Sequence, residues 1–95
     1  MNFRNLVFRP HVTDKKSIQA SLDLGGNIFL SVVAGRGLYC TQRESSKGLD
    51  YPDSNCFASF ECAIIDENGK DEMTVIGWQS REDINKLITK YNTNG

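Results

Sequence analysis

Ile18, Ala20, Leu22 and Leu24 alternate with Ser17, Gln19, Ser21 and Asp23, the period of two that marks a half-buried strand. Gly25-Gly26-Asn27 follows. These residues tolerate positive φ, so the chain is predicted to reverse there. It returns through Ile28–Val33, where Ile28, Leu30 and Val32 share one face while Phe29 and Val33 are apolar on the other. A strand apolar on both faces is expected to be central and covered on both sides. Phe3 to His11 reads as a further strand ending near Pro10, which as a non-donor belongs at an edge. Thr13–Lys16 is a polar turn.

After Ala34 the alternation stops. Gly35 to Asn55 is irregular, except that Tyr39–Glu44 has the character of a short strand or edge. Order returns with a strand over Phe57–Ile65, the turn signal Asn68-Gly69, and a partner strand over Met73–Trp78. A two-residue turn at Asn68-Gly69 would pair Ile64 with Met73, Cys62 with Val75 and Phe60 with Gly77, and that face is predicted to meet the core. Ser80 and Asp83 form a capping-box variant. Ile84, Leu87, Ile88 and Tyr91 then make one stripe of an amphipathic helix that ends in Asn92-Thr93-Asn94-Gly95. Lys86 and Lys90 fall on its water face. The expected fold is α+β: an antiparallel sheet of four to five strands with one C-terminal helix packed on one face. Phe60, Cys62, Ile64, Met73 and Val75 should face Ile84, Leu87 and Ile88.

Composition leaves that picture intact. Ninety-five residues, 39% hydrophobic and 24% charged, match one globular domain spanning 1–95. A net charge of −1 supplies no global pull toward nucleic acid or an anionic membrane. No apolar run approaches the roughly 20 residues that span a bilayer, and no secretory leader pattern follows Met1, so a cytoplasmic protein is expected. Cys40, Cys56 and Cys62 are an odd, unpaired set. They are read as free thiols, buried in the strand segment for Cys56 and Cys62.

The string Ser31-Val32-Val33-Ala34-Gly35-Arg36-Gly37-Leu38-Tyr39-Cys40-Thr41-Gln42-Arg43-Glu44 resembles a motif of small phage proteins. There a strand runs through a glycine turn into a Tyr-Cys-x-Pro-Arg-Glu-like string. Phe60–Asp66 with Asn68-Gly69, then Val75-Ile76-Gly77-Trp78 and a helix opening Ser80-Arg81-Glu82-Asp83-Ile84, match its later blocks. The resemblance covers the last two thirds of the chain, departs at Gln42 where proline is expected, and does not extend to Phe3–Leu24. It implies a phage or mobile-element accessory protein acting on host machinery in the host cytoplasm, as anti-CRISPR and other anti-defence inhibitors do.

Candidate chemistry is sparse. His11 is the single histidine, and a Cys–His nucleophile would need it beside Cys40, which no spacing provides. Asp66, Glu67, Asp71 and Glu72 cluster at a turn tip, not in the desolvated cleft that acid–base catalysis requires. Positions 11, 40, 56 and 62 contain no zinc knuckle. Gly35-Arg36-Gly37 lacks the rest of a dinucleotide fingerprint. Neither a catalytic residue, a metal nor a cofactor is therefore expected. The first sixteen residues have a local charge of +3 with Phe3 and Phe8 interleaved, offset by −3 over Asp66–Glu72, so nucleic-acid binding ranks third. The irregular segment has the residue types that anchor interfaces. Arg36, Tyr39, Arg43, Glu44 and Tyr51 are the candidate partner- or ligand-binding residues. In the rival reading, Arg43 and Glu44 pair to pin the loop over Tyr39 and Cys40. The expected partner is a host protein, with a homodimer as a further expectation because exposed sheet edges pair. The alternative is a sponge for a small anion such as a nucleotide second messenger, with Arg36 and Arg43 on phosphate and Tyr39 or Tyr51 on a base.

Overall fold

The computed structural model describes residues 1–46, 49, 52–68 and 72–92. The fold is α+β: six antiparallel strands form an open sheet, and one C-terminal helix packs on one face. The strands are β1 (Arg9–Pro10), β2 (Ile18–Asp23), β3 (Ile28–Ala34), β4 (Thr41–Gln42), β5 (Phe57–Asp66) and β6 (Glu72–Gln79), followed by α1 (Arg81–Tyr91). The order is β1-β2-β3-β5-β4, with β6 also beside β5. Two of the six strands are two-residue pieces, which is how the count exceeds the four or five expected.

The β2–β3 hairpin forms as its residues dictate. Gly25 (φ 83°), Gly26 (φ 60°) and Asn27 (φ 62°) carry the positive φ of the reversal. The Leu24 N–H donates to the Ile28 carbonyl across it. Register then stacks the even-numbered residues: Ala20 opposite Val32, Leu22 opposite Leu30, Leu30 opposite Ile64 and Val32 opposite Cys62. Leu24, Leu30, Val32, Phe57, Phe60 and Cys62 meet Ile84 and Ile88 of α1 in one buried core. β3 is central, as its pattern requires, but α1 covers only the even face. Phe29 and Val33, on the odd face, stay half-buried.

Ser80 caps α1 as expected: its hydroxyl accepts from the Asp83 N–H (3.1 Å), and its own N–H donates to Asp83 Oδ2 (3.0 Å). Both orphan donors are satisfied reciprocally. The Asp83 carboxylate is held below its ordinary value, first by the Ser80 N–H and then by the Ser80 hydroxyl.

Two expectations are corrected. Phe3 to His11 is not a continuous strand. Asn2 and Asn5 cap a 3₁₀ turn over Phe3–Asn5, the Phe3 N–H donates to Asn85 Oδ1 of α1 (2.7 Å), and only Arg9–Pro10 pairs with β2. Folding back lets Phe3 and Phe8 pack on Phe60, with ring centroids 5.3 and 5.6 Å away. Burial of aromatic surface outweighs the extension of a two-residue ladder.

The second correction is the β5–β6 register. Ile65 pairs with Met73, Ile64 with Thr74, Ala63 with Val75 and Cys62 with Ile76, one residue away from the expected pairing, and beyond a bulge-like irregularity Phe60 meets Gln79 instead of the expected Gly77. Asp66 opposite Glu72 leaves five residues in the connection instead of two. Gly69 of the expected turn lies outside the described residues. Asn68 does not take the positive φ that a two-residue type I′ turn requires. Its side chain instead donates to the Gly26 carbonyl (2.7 Å), while the Glu67 N–H donates to the Asn27 carbonyl (2.9 Å). The connection is thereby tied to the β2–β3 turn. A shift of one residue inverts every side chain, so Met73 and Val75 leave the core and stand 62% and 50% exposed on the opposite face.

Candidate functional site

The irregular segment separates into two structural parts. In the first, β3 ends at Ala34 and the chain turns tightly: the Leu38 N–H donates to the Gly35 carbonyl (3.2 Å) and the Cys40 N–H to the Leu38 carbonyl (2.8 Å). Cys40 closes this turn. Its Sγ donates to the Gly35 carbonyl (3.2 Å) and accepts from the Gly35 N–H (3.3 Å). Burial pushes the thiol up, which disfavours the thiolate form that a cysteine nucleophile needs. His11, the base of the one Cys–His option, is engaged elsewhere: its Nδ1 lies 2.9 Å from Thr13 Oγ1.

This turn presents Tyr39. The Tyr39 carbonyl accepts from the Trp78 N–H (2.8 Å), and the Tyr39 N–H donates to Glu61 Oε1 (3.3 Å). The two rings are 5.1 Å apart with a 42° tilt, a tilted aromatic contact. Gly77 makes the approach possible: a Cβ there would lie 2.7 Å from the Tyr39 Cβ. Trp78 adopts φ of 51°, a left-handed conformation that a bulky residue rarely takes. Tyr39 is 55% exposed and Trp78 60%. In tilted contact, hydrogen-bonded through their backbones and largely open to solvent, they form a preorganised amphipathic surface at the end of β6. Arg36 is exposed in the turn that leads to Tyr39.

The second part is anchored to the start of β5. The Arg43 N–H donates to the Cys56 carbonyl (2.7 Å) and Arg43 Nε to the Asn55 carbonyl (3.0 Å). Buried Ser46 donates to the carbonyls of Arg43 (2.8 Å) and Cys56 (3.0 Å). Glu44 is exposed at the head of the 3₁₀ turn Glu44–Ser46. Arg43 thus pins the loop through backbone carbonyls. Arg81 sits close by: its guanidinium donates to the Ser54 (2.7 Å) and Phe57 (3.0 Å) carbonyls and lies 5.1 Å from the Phe3 and Phe60 rings. Burial lowers the Arg81 pKa, and the Arg43 charge lowers it further.

Of the five residues singled out from the sequence, Arg36 and Tyr39 share the first turn, while Arg43 and Glu44 share the second. Tyr51 lies outside the described residues. Trp78, the main addition, was signalled by the Gly77 before it, since a glycine inside a strand marks a close approach of another chain segment. Phe3 and Phe8, considered for base stacking, belong to the core margin.

A shallow hollow of about 530 Å³ on the odd face is lined by Val7, Arg9, Gln19, Ser21 and Ser31, and another of about 270 Å³ by Leu6, Phe8, Pro10 and Pro52. Among the described residues no three His, Cys, Asp or Glu side chains are grouped to hold a metal ion, and no helix is long and apolar enough to cross a membrane. Comparison with protein families, curated proteins and solved structures finds no match to this chain.

Proposed function

We propose that this protein is a binding inhibitor without chemistry of its own, carried by a phage or mobile element and acting on a host defence protein in the manner of an anti-CRISPR. It acts in the host cytoplasm by occupying a surface its target needs. The observation that supports binding is the Tyr39–Trp78 pair. Two large aromatics are left mostly in water while the Trp78 backbone is held in a costly conformation. Strain of this kind persists where surrounding structure over-determines it and concentrates at ligand-contacting positions. Tyr and Trp are the residue types that dominate contact energies between proteins. The phage setting rests on the resemblance over Ser31–Glu44 and the later blocks.

The test is phage plating on bacteria with an active defence system. Each strain of the panel, including CRISPR-bearing ones, expresses either the wild type or a Tyr39→Ala/Trp78→Ala double variant. At least one defence should be relieved by the wild type, raising plating by tenfold or more, and the folded double variant should lose the effect. No relief by the wild type across the panel would overturn the defence reading. Equal relief by both proteins would overturn the aromatic pair as its contact.

A second reading, capture of a small phosphate-bearing ligand, is favoured by one observation. Arg43 and Arg81 hang on consecutive carbonyls, Asn55 and Ser54, with remaining guanidinium donors of the kind that hold phosphate. Calorimetry against a panel of nucleotides tests it: heat that is lost in Arg43→Ala supports it, and no heat with any member removes it.

A further inference from the structure

We infer that the open edge of β6 is a self-pairing surface, through which two copies of this chain join antiparallel across a two-fold axis into one continuous sheet. The two sheet edges are built differently. At the far edge β1 has only two residues, Arg9 and Pro10, a charge and a non-donor, which are the usual guards against edge pairing. β6 has eight residues and pairs only with β5. From Met73 to Trp78 it contains neither a charge nor a proline. Among the described residues eight large apolar side chains are exposed, and four of them, Met73, Val75, Trp78 and Tyr39, lie on β6 or against its end.

The occupant follows from symmetry and charge. A two-fold axis normal to the sheet keeps each face continuous, so over Met73–Gly77, ahead of the irregularity at Trp78, odd-numbered residues of β6 meet odd-numbered mates. With Val75 opposite Val75 of the second copy, Met73 of each copy falls opposite Gly77 of the other. Its thioether then reaches the Tyr39–Trp78 rings, a favourable sulfur–aromatic contact. The apolar row already running over Phe29, Ile65 and Met73, and over Ala63 and Val75, continues across the axis. Antiparallel pairing also separates the acidic ends. Asp66, Glu67 and Glu72 of one copy lie beside the opposite end of the other. The two Glu72 positions are then roughly 20 Å apart at about 3.4 Å per residue, beyond the ~8 Å screening length at physiological salt. Parallel pairing would set these acidic positions side by side. The edge is thus complementary to itself in backbone and side chains, and antiparallel pairing keeps its acidic ends apart. The inference does not rest on the inhibitor reading, although both draw on the Tyr39–Trp78 surface, which Met73 of the second copy would partly cover.

An interface built on one strand is small, so dissociation in the micromolar range is expected. Sedimentation of the wild type from about 1 to 500 µM should show a monomer passing to a dimer. Val75→Lys puts two like charges on the axis and should leave only monomer at every concentration, with an unchanged circular dichroism spectrum and, at concentrations where the wild type is monomeric, a similar melting point, since Val75 is half exposed. Under mild oxidation Val75→Cys should give a covalent dimer, because directly opposed strand residues lie within disulfide reach, and Thr74→Cys should give it in far lower yield. A wild type that stays monomeric to the top of the range, or a Val75→Lys variant that dimerises as well as the wild type, overturns the inference. So does equal cross-linking at positions 74 and 75, which would mean unregistered contact.

Discussion

Trp78 offers a prediction whose sign opposes the ordinary rule. In a regular strand interior, alanine is more stabilising than glycine by about 0.5–1 kcal/mol, because glycine loses more backbone freedom on folding. At φ of 51°, however, an L-residue's Cβ crowds the following carbonyl at a cost of roughly 1–2 kcal/mol, which glycine escapes. Trp78→Gly and Trp78→Ala both delete the indole and its contact with Tyr39, so that loss cancels between them. Subtracting the entropy term from the crowding term leaves glycine ahead by about 0.75 kcal/mol at the middle of the two ranges. With a urea m-value of about 1–3 kcal/mol/M for a domain of this size, the midpoints should differ by a few tenths of a molar. Far-UV circular dichroism is the assay, since the only tryptophan is removed in both variants. A Trp78→Ala protein as stable as Trp78→Gly, or more so, would refute the claim that the backbone is strained there.

Gly35→Ala should be strongly destabilising, because its Cβ would meet Ser17 Oγ and lie 2.9 Å from the Ser17 backbone Cα. Overpacking against backbone costs about 1–3 kcal/mol, a fall of roughly 5–20 °C in melting point for a domain this small, and an unchanged melting point would contradict the packing. Asp83 should contribute to acid stability in a defined direction. Its folded pKa is lowered by the Ser80 N–H and hydroxyl, so the stabilisation is complete above the unfolded value of about 3.9 and fades as pH falls through the folded one. The stability gap between the wild type and Asp83→Asn should therefore shrink on acidification, and a gap that stays constant to about pH 2 would exclude this origin. Cys62, whose thiol is pushed up to about 12 chiefly by burial, with Glu61 and Asp83 adding to it, should resist alkylation of the folded protein at mildly alkaline pH and react fully in urea. Rapid labelling of native Cys62, followed by peptide mass spectrometry, would contradict its place in the core.

Local chemistry accounts for most of what could be read before folding. The alternation over Ser17–Leu24 set the face of β2, Gly25-Gly26-Asn27 supplied the reversal, and Ser80 with Asp83 placed the start of α1 within one residue. Each of these depends on neighbours a few positions away, so the information is contained in a short window. The apolar positions of α1 likewise needed only a period of 3.6 to identify Ile84 and Ile88 as core.

What eluded that reading depended on partners distant in the chain. Phe3 and Phe8 left extended structure because Phe60 and Asn85, more than fifty residues on, offered burial and a hydrogen bond. The register of β6 turned on Asn68, whose side chain reaches the carbonyl of Gly26, 42 positions earlier. Asn68-Gly69 carries a strong local preference for a tight turn, and a single long-range hydrogen bond together with that of Glu67 accompanies a longer one. The consequence spreads through the period of two: the side chains of β6 change face as far as the irregularity that sets Gln79 opposite Phe60, Met73 and Val75 move from core to surface, and an edge rich in apolar groups appears. The Tyr39–Trp78 pair has the same origin. The sequence by itself determined β2, β3, β5, β6, the helix and which residue types were available for contact. Only the tertiary structure decided which of them meet, because register and loop closure are settled by contacts between segments, and a shift of one residue there moves a whole row of side chains from one face of the sheet to the other.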